Sequence, residues 1–100
     1  MAFTGTPTKT LLGGLITKIT GITLAPGASG TISNASGGGD IELGSTAPEI
    51  DADDTMVHIE GDEMTYSSIT AGVITVTNGD SLSPSRNLVI WVQKIHSIIQ

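Results

Sequence analysis

The chain has 100 residues, a formal net charge of −6 and no cysteine. This length accommodates one domain, and the absence of cysteine excludes disulfides and thiolate metal sites. The negative charge argues against general binding to nucleic acid or to anionic membranes. Thirteen Ile, fourteen Thr and ten Ser, with few residues that favour helices, predict an all-β fold.

The first fourteen residues are predicted to form an extended arm. We therefore divide the chain into an N-terminal arm, residues 1–14, and a β domain, residues 15–100. Chain termini fray unless something holds them, and Phe3, Leu11 and Leu12 give this one apolar surface to bury. The arm either packs on its own domain or lies across a neighbouring subunit. In the second case these three side chains bind the partner.

Residues 15–25 read as a long strand with one irregularity. Ile-Thr pairs begin at Ile16, Ile19 and Ile22, a period of three that fits neither a strand nor a helix. A bulge at Gly21 restores the strand alternation. Lys18 then faces solvent, and the following residues share the inner face: Leu15, Thr17, Ile19, Ile22 and Leu24.

The next stretch is a strand, a turn and a second strand, written Leu24-Ala25-Pro26-Gly27-Ala28-Ser29-Gly30-Thr31-Ile32. Pro-Gly is a turn signal, and apolar residues flank it on both sides. This strand-turn-strand segment resembles one that is common in immunoglobulin-like β-sandwich domains of bacteria and phages. The resemblance implies a sandwich fold and carries no functional residue.

Short alternating segments fill the middle of the chain. Ile41 and Leu43 are predicted to point inward, and a strand over residues 55–60 places Val57 and Ile59 on one face. Residues 64–70 and 72–77 are predicted to form two more short strands, or one strand bent at Ala71-Gly72. Asn78-Gly79 is the strongest hairpin-turn signal in the chain. Seven or eight short strands at this spacing predict a single-domain β-sandwich or small barrel, immunoglobulin-like or jelly-roll-like.

The carboxy-terminal stretch holds the most continuous apolar run. Leu88 to Val92 is unbroken, which predicts a central strand buried on both faces, with Trp91 in the core. A helix is the competing interpretation, because Leu88, Val92, Ile95 and Ile99 recur at three- and four-residue spacing. The β-branched residues favour the strand.

Charge is segregated along the sequence. All ten acidic residues lie between Asp40 and Asp80, and the four basic residues lie outside that segment: Lys9, Lys18, Arg86 and Lys94. Two interpretations stay open. The acidic residues form solvated loops, or they form a face that docks on a basic partner or on another copy's flanks.

The sequence departs from most known catalytic and metal-binding motifs. The acidic run from Asp51 departs from the calcium-loop template, because Met56 stands where the template requires glycine. An irregular calcium site stays open with Asp51, Asp53, Asp54 or Asp62 as ligands. His58 and His96 have no zinc-site spacing, and no serine or cysteine nucleophile motif is present.

Acidic pairs for glycoside chemistry exist among Glu42, Glu49, Glu60 and Glu63. Sites that process sugars usually need aromatic platforms, and the chain has only three aromatic residues. Binding of single-stranded nucleic acid also requires aromatic side chains on which the bases stack, and the chain has too few of them. We predict no catalytic, cofactor or metal site and therefore no enzymatic activity.

The chain begins without the basic region and apolar core of a signal peptide, and no segment approaches a membrane span. In length, Gly/Thr/Ser/Ile composition and arm-plus-β-domain layout it is similar to the decoration (cement) proteins of tailed-phage capsids. That resemblance implies a virion structural protein on the capsid exterior, made in the host cytoplasm. Its partners would be the major capsid protein or another virion protein, with neither nucleic acid nor membrane.

The resemblance also implies a homo-oligomer, with a trimer favoured. Two alternatives remain open from the sequence. One is an immunoglobulin-like adhesion or carbohydrate-binding module, for which an aromatic exposed on a strand face or loop would be the distinguishing feature. The other is a phage tail component.

Overall fold

The computed structural model describes residues 3–51, 55–60, 64–70, 72–79 and 86–94. These residues form eight strands and no helix, which confirms the all-β prediction. The strands are β1 Phe3–Leu12, β2 Ile16–Leu24, β3 Ser29–Ser33, β4 Ile41–Glu42, β5 Thr55–Glu60, β6 Met64–Thr70, β7 Val73–Asn78 and β8 Arg86–Lys94.

The strands form two four-stranded sheets that face each other across one core. The front sheet has the order β1-β2-β8-β5 and is antiparallel throughout. The back sheet has the order β4-β3-β7-β6 and is antiparallel except for the short β3–β4 pair. The sandwich prediction is confirmed. Residues 3–12 of the segment predicted as an arm form β1, which pairs with β2 at the edge of the front sheet.

The core lies between the two sheets and consists mainly of branched aliphatic side chains. Both sheets contribute at alternate positions along their strands, as a half-buried sheet requires. Its buried apolar members are Phe3, Ile19, Ile22, Leu24, Ile32, Ile41, Leu43, Ile50, Ile74, Val76, Leu88, Ile90 and Val92.

Strand β8 is central, as predicted, but only one of its faces is buried. Leu88, Ile90 and Val92 are buried, whereas Val89 and Trp91 on the other face are half-buried. The prediction of burial on both faces, with Trp91 in the core, was wrong. A sandwich has two layers, and none of the described residues forms a third layer over the outer face of the front sheet.

The bulge predicted in β2 is confirmed. The pairing of β2 with β8 shifts register between Ile19 and Ile22, and Gly21 has a φ of 83°. A positive φ is accessible to glycine at little cost, so the bulge falls where the chain has no Cβ. The bulge returns Ile22 and Leu24 to the buried side that Ile19 occupies.

Leu15 was predicted to share that inner face, and this was wrong. It lies in the turn that joins β1 to β2, where its backbone N–H donates to the carbonyl of Leu12 at 3.2 Å. Gly13 and Gly14 at the centre of the turn have φ values of 60° and 75°. Two adjacent positive φ values are the requirement of a type I′ turn, which glycine meets without strain.

Asn78 does not occupy a hairpin turn of the predicted kind. It is the last residue of β7, fully buried, and Ser36 is the one non-glycine with positive φ among the described residues. The side-chain amide of Asn78 donates to the carbonyl of Leu24 at 3.0 Å, and its backbone bonds to Gly27 and Ala28. Asn78 therefore fastens the turn after β2 to the end of β7.

Phe3 links the two sheets near the start of the chain. It belongs to β1 of the front sheet and is 6% exposed. Its ring lies directly over Gly30 of β3 in the back sheet, where a Cβ would overlap the ring carbons. Gly30 thus supplies the space that the aromatic ring fills.

Replacing Gly30 by alanine is expected to lower the free energy of unfolding by about 1–3 kcal/mol, the usual cost of overpacking a core. Urea denaturation measures this change. Gly44→Ala is the matched control, since a Cβ there meets nothing within 4 Å. In the double variant Phe3→Leu/Gly30→Ala the loss should be smaller than the sum of the single losses. Equal stability of Gly30→Ala and Gly44→Ala contradicts this account of the contact.

Candidate interaction surface

The hairpin joining β1 to β2 exposes three leucines at its end. Leu11 and Leu12 are each 39% exposed and Leu15 is 43% exposed. We call these three residues the leucine end. Leu11 and Leu12 are consecutive residues of β1, so their side chains project to opposite faces of the sheet at this end. Several large exposed apolar side chains at one end of a folded domain mark a candidate surface for a partner.

Two of the three residues predicted to bind a partner are thus exposed at the same end of the hairpin. Leu11 and Leu12 belong to the leucine end, whereas Phe3 is buried at the opposite end of β1. Leu15 was not among the predicted partner-binding residues. The signal was the Gly13-Gly14 pair, because a tight turn there ends the strand and leaves Leu15 outside it.

On the side to which Leu12 projects, the apolar surface continues across the outer face of the front sheet. Directly paired residues share a face, and Leu12 pairs with Ile16, Ile16 with Gln93, and Gln93 with Met56. Met56 at the far edge of this row is 56% exposed. The row therefore carries apolar side chains on both edge strands of the front sheet.

The neighbouring row is centred on Trp91. Lys18 of β2 and His58 of β5 are its cross-strand partners. The ammonium of Lys18 lies 4.8 Å from the centroid of the indole ring, a cation–π contact. The indole Nε1 is buried and has no hydrogen-bond partner. Trp91 thus presents a half-buried ring beside a lysine rather than a flat, open platform.

Two lysines of the front sheet reach the acidic part of the chain. The ammonium of Lys9 donates to the carbonyl of Glu42 at 2.6 Å, and that of Lys94 donates to the carbonyl of Glu49 at 3.2 Å. The first contact fastens β4 to the front sheet, and the second fastens the segment that follows β4. Basic and acidic residues are separated along the sequence, but at these two points a basic side chain lies against the acidic part of the chain.

The loop between β3 and β4 includes the sequence Ser36-Gly37-Gly38-Gly39, which is typical of a flexible tip, yet the loop is held by several hydrogen bonds. The backbone N–H of Gly39 donates to Ser33 Oγ at 2.9 Å, and that of Gly38 donates to Glu42 Oε2 at 2.8 Å. The carboxylate of Asp40 accepts from the N–H of Thr31 at 3.1 Å. Glu42 and Asp40 thus act within the loop, as acceptors for backbone amides.

Two pockets flank the segment after β4 and are small. One of about 150 Å³ includes Asn34 and Pro48 in its lining, and one of about 180 Å³ includes Lys9 and Thr17. Binding sites for small organic ligands usually have volumes of roughly 300–1,000 Å³. Neither pocket has the size of such a site.

The described residues contain no group of three or more His, Asp or Glu side chains able to hold a metal ion. Of the four candidate calcium ligands, Asp51 is described, and its backbone N–H donates to Thr55 Oγ1 at 2.9 Å. Asp53, Asp54 and Asp62 lie outside the described residues, as do His96 and Glu63. Within the described part of the chain, no helix has the length and apolarity that a membrane crossing needs.

Comparisons of this chain with protein-family models, with curated protein sequences and with solved structures find no match. Function is therefore argued from the surface of the molecule.

Lys18→Ala is expected to uncover one face of the indole and to lower the free energy of unfolding by about 0.5–1 kcal/mol. Trp91 is the only tryptophan, so acrylamide quenching of its fluorescence reports the change directly. Lys9→Ala serves as the control, because that ammonium contacts the Glu42 carbonyl. Quenching that is the same in both variants contradicts the Lys18–Trp91 contact.

Proposed function

We propose that this chain is a virion structural protein, a decoration protein that binds the outer surface of a capsid through its leucine end. The exposure of Leu11, Leu12 and Leu15 on one tight hairpin supports the proposal most directly. The hairpin fixes their backbone before binding, so little conformational entropy is lost on contact. The capsid partner of this proposal is the major capsid protein or another virion protein.

The energetics favour attachment at many sites over a single strong site. Complete burial of a leucine contributes roughly 1.5–3 kcal/mol, and each of these retains about two-fifths of its surface, so docking contributes about 1 kcal/mol per residue. Three such residues supply about 3 kcal/mol, whereas a millimolar Kd already requires about 4 kcal/mol. Further contacts on the outer face, or simultaneous attachment of several copies to a repeating lattice, would supply the difference.

The net charge of −6 supports an exterior position. A strongly acidic chain is repelled by packaged nucleic acid, which carries a dense negative charge. The same charge makes unattached copies repel one another in solution. A place on the outside of the particle satisfies both conditions.

Electron microscopy of particles tests the proposal. Particles made from the genome that encodes this chain, with and without its coding sequence, are compared by image reconstruction. The expected result is density on the outer capsid surface that disappears when the coding sequence is removed. Density that disappears from the tail instead identifies a tail component, and unchanged particles rule out a virion role.

Substitutions at the leucine end test the contact itself. Deleting β1 is unsuitable because the strand pairs with β2 and carries the buried Phe3. Leu11→Thr, Leu12→Thr and Leu15→Thr combined should weaken binding to purified particles about a hundredfold per site while the chain stays folded. Met56→Thr is the control, since it removes a more exposed apolar side chain at the other edge of the sheet. Loss of binding in the control alone places the contact elsewhere.

A carbohydrate-binding module is the second candidate, because Trp91 lies on an outer strand face; Lys18 would have to leave the indole before a sugar ring could stack on that side. Aromatic rings on such faces stack against sugar rings, and His58 and Gln93 supply neighbouring polar groups. Titration with neutral oligosaccharides, read by Trp91 fluorescence, distinguishes the two. A saturable change supports this candidate, and no change across the oligosaccharides removes it.

A further inference from the structure

We propose that two copies of this chain pair antiparallel through residues Thr8–Leu12 of β1, which joins their front sheets into one continuous sheet. This inference does not depend on the proposed attachment to a capsid. It concerns the edge of the strand, whereas that attachment concerns the leucine side chains at the hairpin end.

The edge of β1 is free in the described structure. Strand β1 is the outermost member of the front sheet and pairs with β2 alone. Residues from Thr8 to Leu12 keep a regular register with β2, and all five are exposed. In a regular edge strand every second amide and carbonyl points away from the sheet, which forms a template for another strand.

The first half of β1 carries devices that prevent such pairing, and the second half does not. Pro7 lacks an N–H, and the register shifts between Gly5 and Thr8. Lysine on an edge also discourages pairing, but the ammonium of Lys9 is turned onto the Glu42 carbonyl of its own molecule. The unprotected edge therefore begins at Thr8 and runs to the turn.

Two-fold symmetry and the side chains select one register. In an antiparallel pair centred on Thr10, that residue faces Thr10 of the second copy, and all five edge residues are paired. Lys9 then faces Leu11, and Thr8 faces Leu12. A pair centred on Lys9 would oppose two like charges and shorten the ladder, which is unfavourable. Thr–Thr pairs contribute favourably across strands.

Engineered cysteines test this register, because the chain has none of its own. Directly opposed residues have Cα atoms about 4.5–5.5 Å apart, within the range a disulfide spans. Thr10→Cys is expected to give a covalent dimer on mild oxidation, seen on a non-reducing gel. Thr8→Cys is the matched control on the same face of the same strand. Its two copies would lie four residues apart along the ladder, about 13 Å, which is beyond disulfide reach.

The double variant Thr8→Cys/Leu12→Cys should restore crosslinking, since those positions face each other in this register. A Thr10→Cys chain that crosslinks no faster than Thr8→Cys overturns the proposal. Light scattering of the wild-type chain gives a second, independent result. Concentration-dependent dimers support the proposal, whereas a monomer at all concentrations or a trimer overturns it.

Charge at position 11 provides a test without cysteine. Leu11→Lys opposes Lys9 of the second copy and should shift the monomer–dimer equilibrium toward monomer, whereas Leu11→Glu removes the same leucine and places an opposite charge there. Equal dimer fractions in these two variants contradict the register. Both variants lack Leu11, so both should attach more weakly to particles. If Leu11→Glu nevertheless still forms dimers, pairing through β1 and attachment to the capsid are separate properties.

Discussion

The fold depends on the alternation of strand β8 between the core and the outside. Leu88, Ile90 and Val92 point into the core from the middle of the front sheet, and both β2 and β5 form their ladders on this one strand. Ile90 faces Ile19 on one side and Ile59 on the other. A shift of β8 by a single residue would put Trp91 into the core and expose the isoleucine.

Strand positions were predictable where local pattern and tertiary environment agree. The inward positions of Ile41 and Leu43 and the common face of Val57 and Ile59 follow from alternation alone, and the structure confirms them. The Gly21 bulge was also predictable, because three-residue spacing of Ile-Thr pairs fits no regular strand. The predicted number of short strands agrees with the eight described.

The errors arose where a residue's role is decided by something distant in sequence. An apolar run such as the one around Trp91 does not reveal whether a further layer covers the sheet. Asn78 has the chemistry of a turn residue, yet its amide bonds to the carbonyl of Leu24, and that buried contact determines its conformation. The sequence does not distinguish an exposed leucine from a buried one. Leu12 is exposed and Leu88 is buried because the β1–β2 hairpin extends beyond the core.

The order of strands in the front sheet has a consequence for how the chain is made. Strand β2 lies near the start of the sequence, and its central neighbour β8 is synthesised after every other described strand. Until β8 leaves the ribosomal exit tunnel, the second edge of β2 therefore has no partner strand. Sheets assembled from distant segments fold slowly, and their early forms expose apolar edges that aggregate. Chaperone demand during translation should accordingly fall only when the segment containing Ile90 has emerged.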